Sequence, residues 1–206
     1  MNAITRQAEF VAVSHKNGIA TITLNRPDLR NAINDQMRAE LIAAFEDAGS
    51  DKSVRGIILT GAGKGFCSGG DIGGMRARLD APAGEVAFNG WRRQQSTHKG
   101  VAAIHGISKP VIAAVNGAAF GLGLDMALAC DFIIAAQGAK MSMSFVKRGL
   151  VSDGGGMYFL PRRVGLSKAK ELILTARIIE PDEALAIGMI DRVATRDDLL
   201  DQAQAW

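Results

Sequence analysis

Residues 109–131 constrain this chain more than any other stretch. Lys109-Pro-Val-Ile-Ala-Ala-Val115 is an apolar run of strand length, Asn116 to Phe120 is rich in glycine and alanine, and the pattern then predicts a helix from about Gly121. A helix that opens directly from such a turn presents bare backbone N–H groups and the positive end of its dipole to whatever lies above it. It therefore suits an oxygen that is negative or becoming so. Val54-Arg-Gly-Ile-Ile-Leu-Thr-Gly-Ala-Gly-Lys-Gly-Phe-Cys-Ser-Gly-Gly-Asp71 repeats the design, with strand, glycine turn and helix start. Two such turns facing one point would give two N–H donors to a single oxygen, an oxyanion hole.

At 206 residues with 24 glycines and few aromatics, the chain fits an α/β domain with many tight turns better than a helix bundle. A net charge of +3, spread along the sequence, gives no case for nucleic acid. Cys67 and Cys130 have no metal-ligand spacing and read as reduced thiols of a reducing compartment. The N-terminus has no apolar targeting core, and no apolar run reaches membrane-spanning length. The expectation is a soluble, cytoplasmic protein with no metal and no membrane partner.

Along the chain, Glu9–Ser14 and Gly18–Leu24 alternate around Lys16-Asn17-Gly18, a hairpin signal. Residues 25–31 form a polar loop. Asn34 caps a helix to about Ala48, with Met37, Leu41, Ile42 and Phe45 on one face. Residues 54–60 are a buried strand and Ile72–Leu79 a helix. Residues 80–84 form a loop and 85–105 a polar helix whose Arg92, Arg93, Gln94 and Gln95 form a solvated face. Later come a strand at Phe132–Ala136, a short apolar segment at Met141–Phe145 and a third glycine-rich turn, Arg148–Gly156. Helices follow from Ser167 and from Pro181, with a last strand at Ile190–Val193. The recurring units predict an α/β fold of stacked ββα turns rather than a doubly wound sheet. Residues 1–195 form its core domain, and 196–206 begin a C-terminal helical region.

Gly65-Phe-Cys67-Ser-Gly69 matches a nucleophile elbow with cysteine in place of serine. Such a hydrolase places its histidine late, yet His15, His98 and His105 all precede Asp125, Asp131 and Asp153. Cys67 is therefore read as a small residue packed at a turn. Gly121-Leu-Gly123 lacks the third glycine of a dinucleotide fingerprint, since Met126 stands there. Asp71 is explained by helix capping and Asp131 by ending a helix. Asp125 sits in the first turn of an otherwise apolar helix, where water is scarce unless it lines a pocket. Asp153, between Ser152 and three glycines, is compatible with a plain turn role.

Four segments together resemble the crotonase family, the enoyl-CoA hydratase/isomerase superfamily. They are Ile22–Ile33, Gly65–Ile72, Lys109–Asp125 and Gly149–Gly156, in the expected order over nearly the whole chain. The resemblance implies a spiral of ββα units with flanking helices, a C-terminal helical region longer than residues 196–206, and homotrimers or hexamers. It also implies acyl-CoA thioester substrates, with coenzyme A entering as part of the substrate and no permanently bound cofactor. By position, the oxyanion donors are the backbone N–H groups of Gly70 and Leu122. The segment Asp28, Leu29 and Arg30, with Cys67, Ser68, Gly69, Asp71 and Ile72, holds the CoA arm and adenine; Gly121 and Phe145 are further substrate-binding positions. Arg30 suits a CoA phosphate, or is a surface loop arginine.

The acids choose the reaction. The family's hydratases use two glutamates; here their places hold Asp125 and Phe145, and a phenyl ring cannot move protons. Asp153 falls where isomerases of the family place an aspartate. The resemblance thus implies double-bond isomerisation through an enolate, with Asp153 shuttling the proton and Asp125 assisting it or orienting water. A carboxylate under Phe145, Val146 and Leu150 is expected to have a raised pKa. The alternatives are an enoyl-CoA hydratase and a non-catalytic CoA-binding relative.

Overall fold

The computed structural model describes residues 6–206. The absence of a targeting core was read partly from residues 1–5, which lie outside that range. Strand β1 (Arg6–Gln7) leads into the hairpin of β2 (Val11–Lys16) and β3 (Ile19–Leu24). Asn17 and Gly18 close the hairpin with φ of 52° and 79°, the left-handed pair that a two-residue turn of this twist requires. A 3-10 turn at Pro27–Leu29 precedes α1 (Asp35–Ser50). The Asn34 side chain caps α1 by accepting from the Met37 N–H at 2.8 Å. Met37, Leu41, Ala44, Phe45 and Ala48 are its buried stripe.

Three spiral turns follow, each passing from a long strand to a short one and then to a helical segment. The first is β4 (Gly56–Gly61), β5 (Gly65–Cys67) and α2 (Ile72–Leu79), with α3 (Ala83–His105) appended. The second is β6 (Val111–Val115), β7 (Ala118–Phe120) and α4 (Leu122–Leu128). The third is β8 (Phe132–Ala136), β9 (Met141–Ser142), a 3-10 turn at Ser144–Arg148 and α5 (Gly156–Val164). Then come α6 (Leu166–Thr175), α7 (Pro181–Ala186), β10 (Arg192–Ala194) and α8 (Leu199–Ala205).

The strands sort into two sheets. Seven lie in the order β1-β2-β3-β4-β6-β8-β10, antiparallel up to β3 and parallel beyond it. The other three, β5-β7-β9, form a small parallel sheet. The main core fills the space between them and also takes in α1, α3 and α4, through residues such as Leu24, Phe45, Leu59, Phe66, Ile104 and Leu124. A second cluster on the outer face joins Ile58, Ile134 and Ala136 to Leu199 and Ala203 of α8.

The structure changes several expectations, among them the glycine turn at 65–67, which is strand β5. Residues 116–120 are not merely a turn: Ala118–Phe120 is the middle strand of the small sheet. Residues 80–84 are not all loop, since α3 already starts at Ala83. Helix α5 has no counterpart among the sequence-based expectations, because two glycines precede it, a third opens it and Pro161 lies inside it. The last strand is Arg192–Ala194 rather than 190–193.

Candidate active site

The small sheet delivers two turns to one place. After β5 the chain runs through Gly69 and Gly70; after β7 it turns at Gly121 into α4. Gly121 has φ 52° and ψ −122°, a conformation closed to residues with a Cβ. Leu122, which follows, is not among the residues of positive φ, so a leucine is tolerated as a backbone donor. The turns lie against each other: a Cβ on Gly69 would come within 3.6 Å of the Leu122 nitrogen and 2.9 Å of the Phe120 oxygen. At Gly123 even a methyl group would overlap the Cys67 carbonyl, so the start of α4 seats directly on the end of β5.

Among the described residues, neither the Gly70 nor the Leu122 N–H has a protein acceptor. At Gly70 the bridge to residue 33 is made by its neighbours: Ile33 N–H donates to Gly69 O and Asp71 N–H to Ile33 O. At Leu122 the N–H belongs to the open first turn of α4. Both residues line a cavity of about 530 Å³. Ser68, Gly69, Ile72, Gly121, Phe145 and Asp153 line it too, as do Arg93, Lys147 and Arg148. Asp153 is the sole carboxylate among the described residues of this wall.

Several expected site residues lie elsewhere. Asp125 is behind the wall, 0 % exposed. Its Oδ2 accepts from Ser152 Oγ at 2.8 Å and from the Gly154 N–H at 3.0 Å, one bond on either side of Asp153. Its Oδ1 has no protein partner. Burial pushes the Asp125 carboxyl up to about 7; the bonds from Ser152 and Gly154 oppose that rise, and the charge of Asp153 adds to it. Geometrically, then, Asp125 is an anchor for the loop that carries Asp153. Cys67 is also behind the wall, its thiol directed at the Asn31 carbonyl and pushed up to about 12 by burial. Asp71 caps α2 by accepting from the Gly73 N–H at 2.9 Å, and it pairs with Arg26 at 3.0 Å. Asp28, Leu29 and Arg30 are exposed, outside the cavity wall, and tied to it by the Ser68 N–H donating to Arg30 O at 3.0 Å.

Several wall residues are not among the expected ones, Lys147, Arg148 and Arg93 included, and Arg93 bears most on the chemistry. Arg93, read as solvated, has a side chain only 16 % exposed, and its Nη2 lies 3.1 Å from Asp153 Oδ2. The signal was present. Thr97, Val101 and Ile104 form the buried stripe of α3, and stepping back four residues from Thr97 reaches Arg93.

A sequence model of the family described as enoyl-CoA hydratase/isomerase matches residues 14–206. The chain is 38% identical over 196 residues to a 1,2-epoxyphenylacetyl-CoA isomerase of Escherichia coli, covering 95% of this chain and 74% of that one. It is 42% identical over 173 residues to a probable enoyl-CoA hydratase of Rhodobacter capsulatus, covering 84% of this chain and 64% of that one. The crystal structure of a probable enoyl-CoA hydratase/isomerase from Mycobacterium abscessus superposes with a TM-score of 0.85 at 36% identity, covering 96% of this chain and 74% of that one. The match over most of its length and identities of this size place the chain in the enoyl-CoA hydratase/isomerase family, the crotonase superfamily.

Proposed function

We propose that this chain isomerises the double bond of an enoyl-CoA thioester through an enolate. One observation carries the reading: among the described residues, the cavity that holds the two unpartnered N–H groups has a single carboxylate in its wall, Asp153, and Phe145 lines it where the family resemblance puts a hydratase's second acid. One carboxylate suffices to take a proton from one carbon and return it to another. Activating water for addition is better served by two.

In this reading the thioester oxygen lies between the Gly70 and Leu122 N–H groups. Asp153 takes a proton from C2 of a 3-enoyl-CoA, and the C–H electrons flow into a dienolate whose charge rests on that oxygen. The proton returns to C4, the C2–C3 double bond forms, and Asp153 is a carboxylate again. A donor of this kind lowers such a barrier by about 3–4 kcal/mol. The donors are fixed in place before the reaction because β5 and α4 are in direct contact at Cys67 and Gly123. Lys147 and Arg148 on the wall, with Arg30 outside it, offer cations to the phosphates of coenzyme A.

The test is Asp153→Asn assayed with a 3-enoyl-CoA. A drop in kcat of about 10²- to 10⁴-fold is expected. Unchanged turnover, or wild-type hydration of a 2-enoyl-CoA at a rate matching its isomerisation, would overturn the reading.

A further inference from the structure

We propose that Arg93 is a positioning residue for Asp153, holding one oxygen of its carboxylate so that the other is presented for proton transfer. The proposal rests on the reading of Asp153 as the proton shuttle. Asp153 lies in the non-helical stretch between the 3-10 turn and α5. Asp125 secures that stretch on both sides, accepting from the Ser152 hydroxyl and from the Gly154 backbone N–H, but neither bond involves the Asp153 side chain. The restraint on the side chain comes from α3. Arg93 Nη2 donates to Asp153 Oδ2 at 3.1 Å, and both side chains are mostly buried, at 16 % and 17 % exposed. Among the described residues, Asp153 Oδ1 has no protein partner. One oxygen is therefore engaged by a permanent cation while the other remains available.

Arg93 is itself well supported. The next turn of its helix is buried at Thr97, whose Oγ1 donates to the Arg93 carbonyl at 3.1 Å. The pair also stands at a seam. A second cavity, lined by Val101, His105, Tyr158 and Phe159, meets the first at Arg93, Leu150 and Asp153. Without the guanidinium, the carboxylate could swing toward that second space and leave the reacting carbon. A displacement of about 1 Å at a reacting group can cost on the order of 10²-fold in rate.

The experiment compares Arg93→Met, which keeps the stem without the charge, Arg93→Lys, which keeps a charge, Asp153→Asn, and the Arg93→Met/Asp153→Asn double variant, all with a 3-enoyl-CoA. Arg93→Met is expected to lower kcat by about 10- to 100-fold with KM changed less than about twofold. Arg93→Lys should recover a large part of that loss, and the double variant should be no slower than Asp153→Asn alone. Arg93→Met with wild-type kcat, while Asp153→Asn is inactive, would overturn the role of Arg93 and leave Asp153 in place. Equal failure of the Lys and Met variants, with a lowered unfolding temperature in both, would also overturn it, since packing rather than charge would then be at work. Full turnover by Asp153→Asn would remove the shuttle and Arg93's role with it.

Discussion

The two sheets are built by opposite means. The seven-stranded sheet is held by large side chains that fill space: Ile22, Leu24, Ile57, Ile58 and Leu59 are all fully buried. The three-stranded sheet, which carries the site, also buries Phe66 and Met141, but the turns that serve it close by the absence of side chains. A Cβ at Gly123 would strike the Cys67 carbonyl, and one at Gly117 would strike the Lys64 carbonyl. The strand interiors of the first sheet are therefore sensitive to atoms removed, and the turns around the second to atoms added. In the proposed function a donor pair must be held rigidly with its N–H groups bare, and backbone packed on backbone does this without side chains crowding the place of the oxygen.

Four substitutions test this contrast. The largest effect is expected from Gly123→Ala, which should abolish both the cooperative thermal transition and turnover; a folded, active Gly123→Ala enzyme would break the comparison. Next is Asp125, beneath the same turns. Between about pH 4 and 7 the unfolded chain has released the Asp125 proton that the folded chain keeps, so its raised pKa makes stability fall as pH rises through that window and level off above it. The loss amounts to about 4 kcal/mol. Asp125→Asn should flatten that slope in urea titrations at pH 5 and pH 8, and an unchanged slope would mean that the carboxyl is ordinary. Leu59→Ala, in the large sheet, should cost about 3 kcal/mol in the same titration while the folded fraction keeps its kcat. Asn34→Ala, which removes the cap of α1, should cost about 1 kcal/mol and leave turnover untouched. If either of the last two lowered kcat directly, the two sheets would not be separable.

The same contrast explains what could be read from the sequence. Strands β4, β6 and β8 are apolar runs of five or six residues, Asn17-Gly18 marks its hairpin, and Asn34 with its apolar stripe marks α1. Those signals come from side chains, and the large sheet is made of them. Strands β5, β7 and β9 are two or three residues long, too short to show a period, and alanines and glycines do not announce a sheet. Helix α5 was hidden by Gly154–Gly156 at its start and Pro161 within it. At the site, the residues at 70, 122 and 153 were legible from motif order, and the cavity brings them together. Asp125 was legible as a buried carboxyl but not as an anchor, because its partners lie 27 and 29 residues away. Arg93 looked like one of four polar neighbours, and only the depth of Thr97 below it reveals that it turns inward.

Cys67 sits at the contact where β5 meets α4, and Cys130 lies just beyond the other end of that helix; both are buried free thiols held away from the reactive thiolate by burial. In the closed fold an alkylating reagent finds neither sulfur. Time-resolved labelling would therefore register how often the chain parts around α4, and an acyl thioester seated above that helix should slow the clock at Cys67.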